Sequence, residues 1–129
     1  GPGRGAEGAR DVVESFPGGV EFVSSEGVWL RVKDADGAII FERIMDANTP
    51  YEGPLNDPPE VIERAGNASA LFFLVNGALY GPAGGSGRVA KNIELSAEKL
   101  TQSYERYAPQ DQSPLYSLLL ELETDRVKP

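Results

Sequence analysis

The chain has 129 residues, 40% of them hydrophobic and 25% charged, with 15 Gly and 10 Pro. That length suits one domain with a packed core, and so much Gly and Pro suits several short strands joined by turns. A net charge of −8 repels phosphate backbones and anionic head groups, which sets nucleic acid and bare membrane aside as partners of this piece. The absence of Cys and His removes any disulfide framework, any thiolate or imidazole metal site, and the commonest general base and soft nucleophile.

Residues 1–18 read as a linker, rich in Gly, Ala and charge, with one turn of helix expected at 10–16. The opening Gly1-Pro2 has the look of a protease scar, so targeting or anchoring segments are expected to lie outside this piece. No apolar run approaches the roughly 20 residues of a membrane span. Lack of Cys is compatible with cytoplasm or periplasm and does not decide the compartment.

From Val20 the hydrophobic period becomes two. Val20 and Phe22, then Val28, Leu30 and Val32, alternate with polar neighbours, as in a half-buried strand. Asp34-Ala35-Asp36-Gly37 is a tight-turn signal. A second run at 38–45 closes a hairpin over 28–45, with Ile39 and Phe41 predicted on one face and Ile40 and Ile44 on the other. Pro50, Pro54, Pro58 and Pro59 break the next passage and leave room for a short edge strand at 51–55. Residues 61–65 are a strand candidate, Gly66-Asn67 a turn, and 71–75 (Leu-Phe-Phe-Leu-Val) the most buried strand. Asn76-Gly77 is a hairpin signature, and Leu79-Tyr80 begin the return. A flexible loop at 81–87 leads to a strand at 88–95 anchored by Val89 and Ile93.

The period then becomes helical. Ser96 can cap a helix, with Leu95 and Leu100 at staple positions. Ala97, Leu100, Tyr104 and Tyr107 share its face, and Pro109 ends it. A second helix begins with Ser113 as cap and Pro114 at its first position, and carries the stripe Leu115, Leu118, Leu119, Leu122. The prediction is therefore mainly β: an antiparallel β-sandwich of about seven short strands over 19–108, with one or two C-terminal helices and a C-terminal extension at 109–129.

Candidate chemistry is thin. Asp34 and Asp36 could form a carboxylate pair, but they flank a turn, and turn chemistry accounts for them. The same residues resemble the start of a calcium loop, yet Ala38, Ile39 and Ile40 follow where further oxygen ligands are needed. The stretch 81–88 shares only its glycines with a phosphate loop, because Arg88-Val89 opens a strand where Lys and Ser or Thr should open a helix. Asn67-Ala68-Ser69 fits the N-glycosylation pattern, which matters only in a secreted eukaryotic protein. No catalytic residue, metal or cofactor is implied. Trp29, out of phase with Val28, Leu30 and Val32, either packs under the Gly-rich loop or a C-terminal helix, the favoured reading, or stands exposed as a partner anchor. The leucine stripe either covers its own sheet or binds another chain, including a second copy.

The ordered run Gly27-Val28-Trp29-Leu30-Arg31-Val32-Lys33-Asp34-Ala35-Asp36-Gly37 resembles the opening hairpin of the RodZ-type periplasmic C-terminal domain. The likeness continues through Ile40-Phe41-Glu42-Arg43, Gly66-Asn67-Ala68, the strand 71–75, Asn76-Gly77, the Gly/Pro loop and the strand 89–95, and spans about 20–107. It implies a non-enzymatic periplasmic β domain of a single-pass inner-membrane protein of bacterial cell-shape control. Such a protein links the actin-like MreB in the cytoplasm to peptidoglycan elongation, and its partners are proteins of that machinery. Asp34, Asp36, Gly37, Gly66, Asn67, Asn76 and Gly77 are expected as structural turn positions. Trp29 and the four leucines are the candidate contact residues. An alternative is a carbohydrate- or peptidoglycan-binding module that stacks sugars on Trp29, Tyr51 or Tyr80. An Asp/Glu enzyme ranks last.

Overall fold

Alternation of apolar and polar residues, punctuated by left-handed Asn and Gly, cuts the chain into strands. In a computed structural model, which describes residues 20–52 and 59–127, these are β1 (Val20–Ser24), β2 (Val28–Lys33), β3 (Ile39–Met45), β4 (Tyr51–Glu52), β5 (Val61–Ala65), β6 (Leu71–Val75), β7 (Ala78–Tyr80) and β8 (Ala90–Glu94). Two helices follow, α1 (Ala97–Ser103) and α2 (Pro114–Val127). Seven strands have three or more residues, and β4 has two. The expected helical turn at 10–16 and the far end of the 51–55 strand lie outside the described residues.

The strands form two antiparallel four-stranded sheets, ordered β4-β1-β6-β7 and β3-β2-β5-β8. The 28–45 hairpin forms as expected, with Val28 opposite Met45 and Trp29 opposite Ile44. Its turn is held by Asp34, whose Oδ1 accepts from the Asp36 and Ala38 amides, both at 2.9 Å. Gly37, Asn67, Asn76 and Gly77 all take positive φ, so these turn residues supply the left-handed backbone that β-branched residues resist.

Between the sheets lies the main core, including Phe22, Leu30, Ile62, Leu71, Phe73, Leu95 and Leu100. A second cluster sits on the outer face of the β4-β1-β6-β7 sheet: Val23, Phe72, Leu74, Leu79 and Leu115, with Tyr107, Leu118, Leu119 and Leu122 packed against it. β6 therefore has both faces covered, which is why its sequence is continuously apolar.

Three expectations of detail need correction. The first helix stops at Ser103, and Tyr104 is already extended. The segment after it runs along β7: Gly81 donates to the Glu105 carbonyl, Arg106 bridges Tyr80, and the Tyr107 amide donates to Leu79 O. Satisfying an open sheet edge outweighs extending the helix, and it places Tyr104 on Phe73 (5.2 Å) and Tyr107 on Phe72 (4.6 Å). Val89 is exposed rather than an anchor, because Asn92 at φ 56 shifts the alternation so that Ala90 faces inward before it and Ile93 after it. Ile39 is exposed instead of sharing the inner face with Phe41, since a bulge at Val32/Lys33 breaks the register there.

The loop at 81–87 is a crossover between sheets and not a hairpin. It is tied down: Ala83 donates to Leu71 O and Gly84 to Ala68 O. A Cβ at Gly84 would meet the Ala68 Cβ at 2.9 Å. We expect Gly84→Ala to destabilise by about 1–3 kcal/mol through overpacking, read from urea unfolding; an unchanged midpoint would mean that the loop yields freely.

The cap of α1 is as expected, with the Lys99 amide donating to Ser96 Oγ at 3.2 Å and both Leu95 and Leu100 buried. Ser113 caps α2 through the Tyr116 amide. Among the described residues no helix is long and apolar enough to cross a membrane.

Candidate interaction surface

The five candidate contact residues do not come together. Leu115 is buried and Leu118, Leu119 and Leu122 are half-buried against the chain's own β4-β1-β6-β7 sheet, so α2 docks in cis. Trp29 belongs to neither apolar cluster and stands on the outer face of the other sheet. The favoured expectation that it packs beneath the Gly-rich loop or a helix is therefore corrected: that loop is bonded to Leu71 and Ala68, and α2 covers the opposite sheet.

Period two puts Trp29, Arg31 and Lys33 of β2 on this outer face. Their partners across the strands are Ile44, Glu42 and, from β5, Glu63. Arg31 lies 5.2 Å from the Trp29 ring centroid, a cation–π distance, so the indole packs beside a guanidinium rather than in the core. The same guanidinium reaches Glu42 at 3.0 Å and Glu63 at 3.2 Å, and Lys33 Nζ lies 2.8 Å from Glu63. Beside this network the exposed isoleucines gather on one strand: Ile44 is 67% exposed, Ile39 51% and Ile40 46%. The result is exposed isoleucines on either side of the Glu42–Arg31–Glu63–Lys33 network.

Hydrogen bonding from Lys33, with a smaller share from Arg31, holds the Glu63 carboxyl below its ordinary value. A depressed carboxylate contributes stability that is present above the ordinary carboxylate range and lost as pH falls through the folded value. Wild type should therefore lose more stability than Glu63→Gln on acidification from about pH 6 to about pH 3. Parallel urea-unfolding curves for the two chains would show that the network contributes nothing. Burial pushes the Tyr104 phenol up; its hydroxyl donates to Ala83 O at 3.2 Å.

The sugar-stacking alternative needs an exposed aromatic in a groove with polar neighbours. Tyr51 instead stacks on Phe22 (6.0 Å) and meets Phe41 edge-on (5.6 Å), and Tyr80 packs against the main core, both on the sheet opposite Trp29. The three rings do not form one platform. A cleft lined by Lys91, Asn92, Lys99 and Tyr104 holds one carboxylate, Glu94, and one beside Arg31, Arg64 and Lys91 holds only Glu63. Asp34 is committed to its turn.

The hairpin and its turn were legible from sequence. The exposed isoleucines were not: the alternation put Ile40 and Ile44 on the face opposite Ile39 and Phe41, but the bulge that turns Ile39 outward, and the edge position of β3, leave no local signal.

These features define a β-sandwich domain with three exposed isoleucines on one edge strand. The family described as the RodZ C-terminal domain matches residues 21–93, more than half of the chain, and the chain belongs to that family. It is a non-catalytic family and suggests a role related to cell shape. The match ends within β8, so both helices lie beyond it. Neither curated proteins nor solved structures gave a significant match.

Proposed function

We propose that this domain is a non-catalytic interaction module on the periplasmic side of a single-pass inner-membrane protein of bacterial cell-shape control. There it helps to position the MreB-linked peptidoglycan elongation machinery, with proteins of that machinery as partners. Family membership supports the setting. The observation that carries the contact surface is the exposure of Ile39, Ile40 and Ile44 on one strand, with Trp29 beside Ile44 and aromatic anchors enriched at protein contacts. The leucines of α2 are engaged by the chain's own sheet, so a second copy could use them only by displacing that helix.

A photo-crosslinking amino acid in place of Ile44, and in a control chain in place of the exposed Glu98 on α1, tests this in growing cells. Adducts with an identified wall-synthesis protein from position 44 and none from 98 are expected. Equal adducts from both, or none from 44, would overturn the assignment of this face. A periplasm-specific reporter fused to the domain should be active; a silent reporter beside an active cytoplasmic one would overturn the location.

A further inference from the structure

We infer that β3 is a strand-addition site for an extended segment of another protein, one with alternating aliphatic side chains and basic residues at its ends. The inference rests on reading the Trp29–Ile44 face as a contact surface, and adds the mode of binding and the chemistry of the partner.

Four strands end the two sheets, and three are protected in recognisable ways. β7 is covered by the Arg106 bridge to Tyr80 and by the Tyr107 amide on Leu79 O. β4 has two residues. β8 is interrupted by left-handed Asn92 and carries Lys91 and Glu94. Short, irregular or charged edges discourage pairing with a further strand. β3 departs from this pattern: it has seven residues, pairs only with β2 among the described residues, and carries the three exposed isoleucines. An added strand would gain main-chain hydrogen bonds along β3, while its alternate side chains flank Ile44, with Trp29 one strand farther in.

Charge selects the occupant. Near the β3 edge the cations are engaged: Arg31 by Glu42 and Glu63, Lys33 by Glu63, and Arg43, on the inward side, over the Phe41 and Tyr51 rings with its guanidinium donating to Tyr51 Oη, while Arg64 and Lys91 lie farther across the sheet on β5 and β8. Asp34 and Asp36 at the turn, and Asp46 just past the other end of β3, make no ion pair with the described residues. A second copy added antiparallel would set Asp46 of one chain near the Asp34–Asp36 turn of the other, between bodies of net charge −8. A strand with basic ends meets attraction at both ends instead.

Isotope-labelled domain titrated with three short synthetic peptides provides the test: alternating valine and threonine with lysine ends, the same with glutamate ends, and the lysine form with prolines at alternate positions. The lysine peptide should slow amide exchange along β3 and shift the emission of Trp29, the single tryptophan. The glutamate peptide should bind about tenfold more weakly at low salt, since several surface charge pairs change sign. The proline peptide should not protect β3, because it lacks the donors a ladder needs. Asp36→Lys with Asp46→Lys should narrow the gap between the first two. A Trp29 shift without β3 protection would overturn strand addition and leave the contact face standing, as would equal binding of the proline form. Concentration-dependent β3 protection without peptide would overturn the choice of partner in favour of a second copy. No response of β3 to any peptide overturns the inference, while the crosslinking experiment judges the face independently.

Discussion

Phe73→Ala is expected to lower the unfolding free energy by about 3–5 kcal/mol, the largest loss from any single side chain here. Phe73 is fully buried on β6, between Phe22 of β1 and Tyr80 of β7 in register. Its ring stacks with Tyr104, which also holds the segment that closes the β7 edge. Truncation removes the ring, leaves a cavity between sheets, and takes the partner from Tyr104. Since domains of this kind are stable by only about 5–15 kcal/mol, the variant should be close to unfolding at growth temperature. Phe73→Leu keeps most of the volume and should cost less. Urea unfolding followed by circular dichroism measures both; a loss below about 1 kcal/mol for Phe73→Ala would mean that the sheets close over the gap.

Removing residues 110–129 should leave a folded sandwich that is less stable and self-associates. α2 contributes to the outer cluster alone and the main core is complete without it. Each buried leucine is worth about 1.5–3 kcal/mol gross; Leu115 is buried, its three neighbours are half-buried, and ordering the helix costs part of the gain. A net loss of roughly 2–4 kcal/mol follows. The same deletion bares Val23, Phe72, Leu74 and Leu79 on one sheet face, an apolar patch that should drive association. Light scattering should report a larger mass for the shortened chain than for the full one at equal concentration. An unfolded shortened chain would make α2 part of the core; unchanged stability and mass would mean that α2 is not held on the sheet.

Much of this fold could be read from residues because two local signals agree. β5 and β6 end just before left-handed Asn67 and Asn76-Gly77, and the caps at Ser96 and Ser113 fall where hydroxyls precede apolar stripes. What could not be read depends on neighbours that sequence does not name. Tyr104 and Tyr107 have helical spacing, yet the segment is extended because β7 needs a partner. Val89 fits a strand pattern until Asn92 reverses the phase. Trp29 could be placed on the outer face, but not beside Arg31 and an edge strand of isoleucines. The leucine stripe was recognisable as amphipathic, but periodicity cannot say whose sheet it covers, and here it is the chain's own.

If the Trp29–Ile44 face carries the biological contact, as proposed, cell shape should depend on it. Trp29→Ala with Ile44→Glu changes only the outer face, so the purified domain should keep its main-core packing and a cooperative thermal transition. Placed in the full-length protein at wild-type abundance, in cells whose own copy is deleted, this pair should fail to restore wild-type cell shape, whereas Glu98→Ala on α1 should restore it. Full restoration by the Trp29–Ile44 double variant would overturn the assignment of this face.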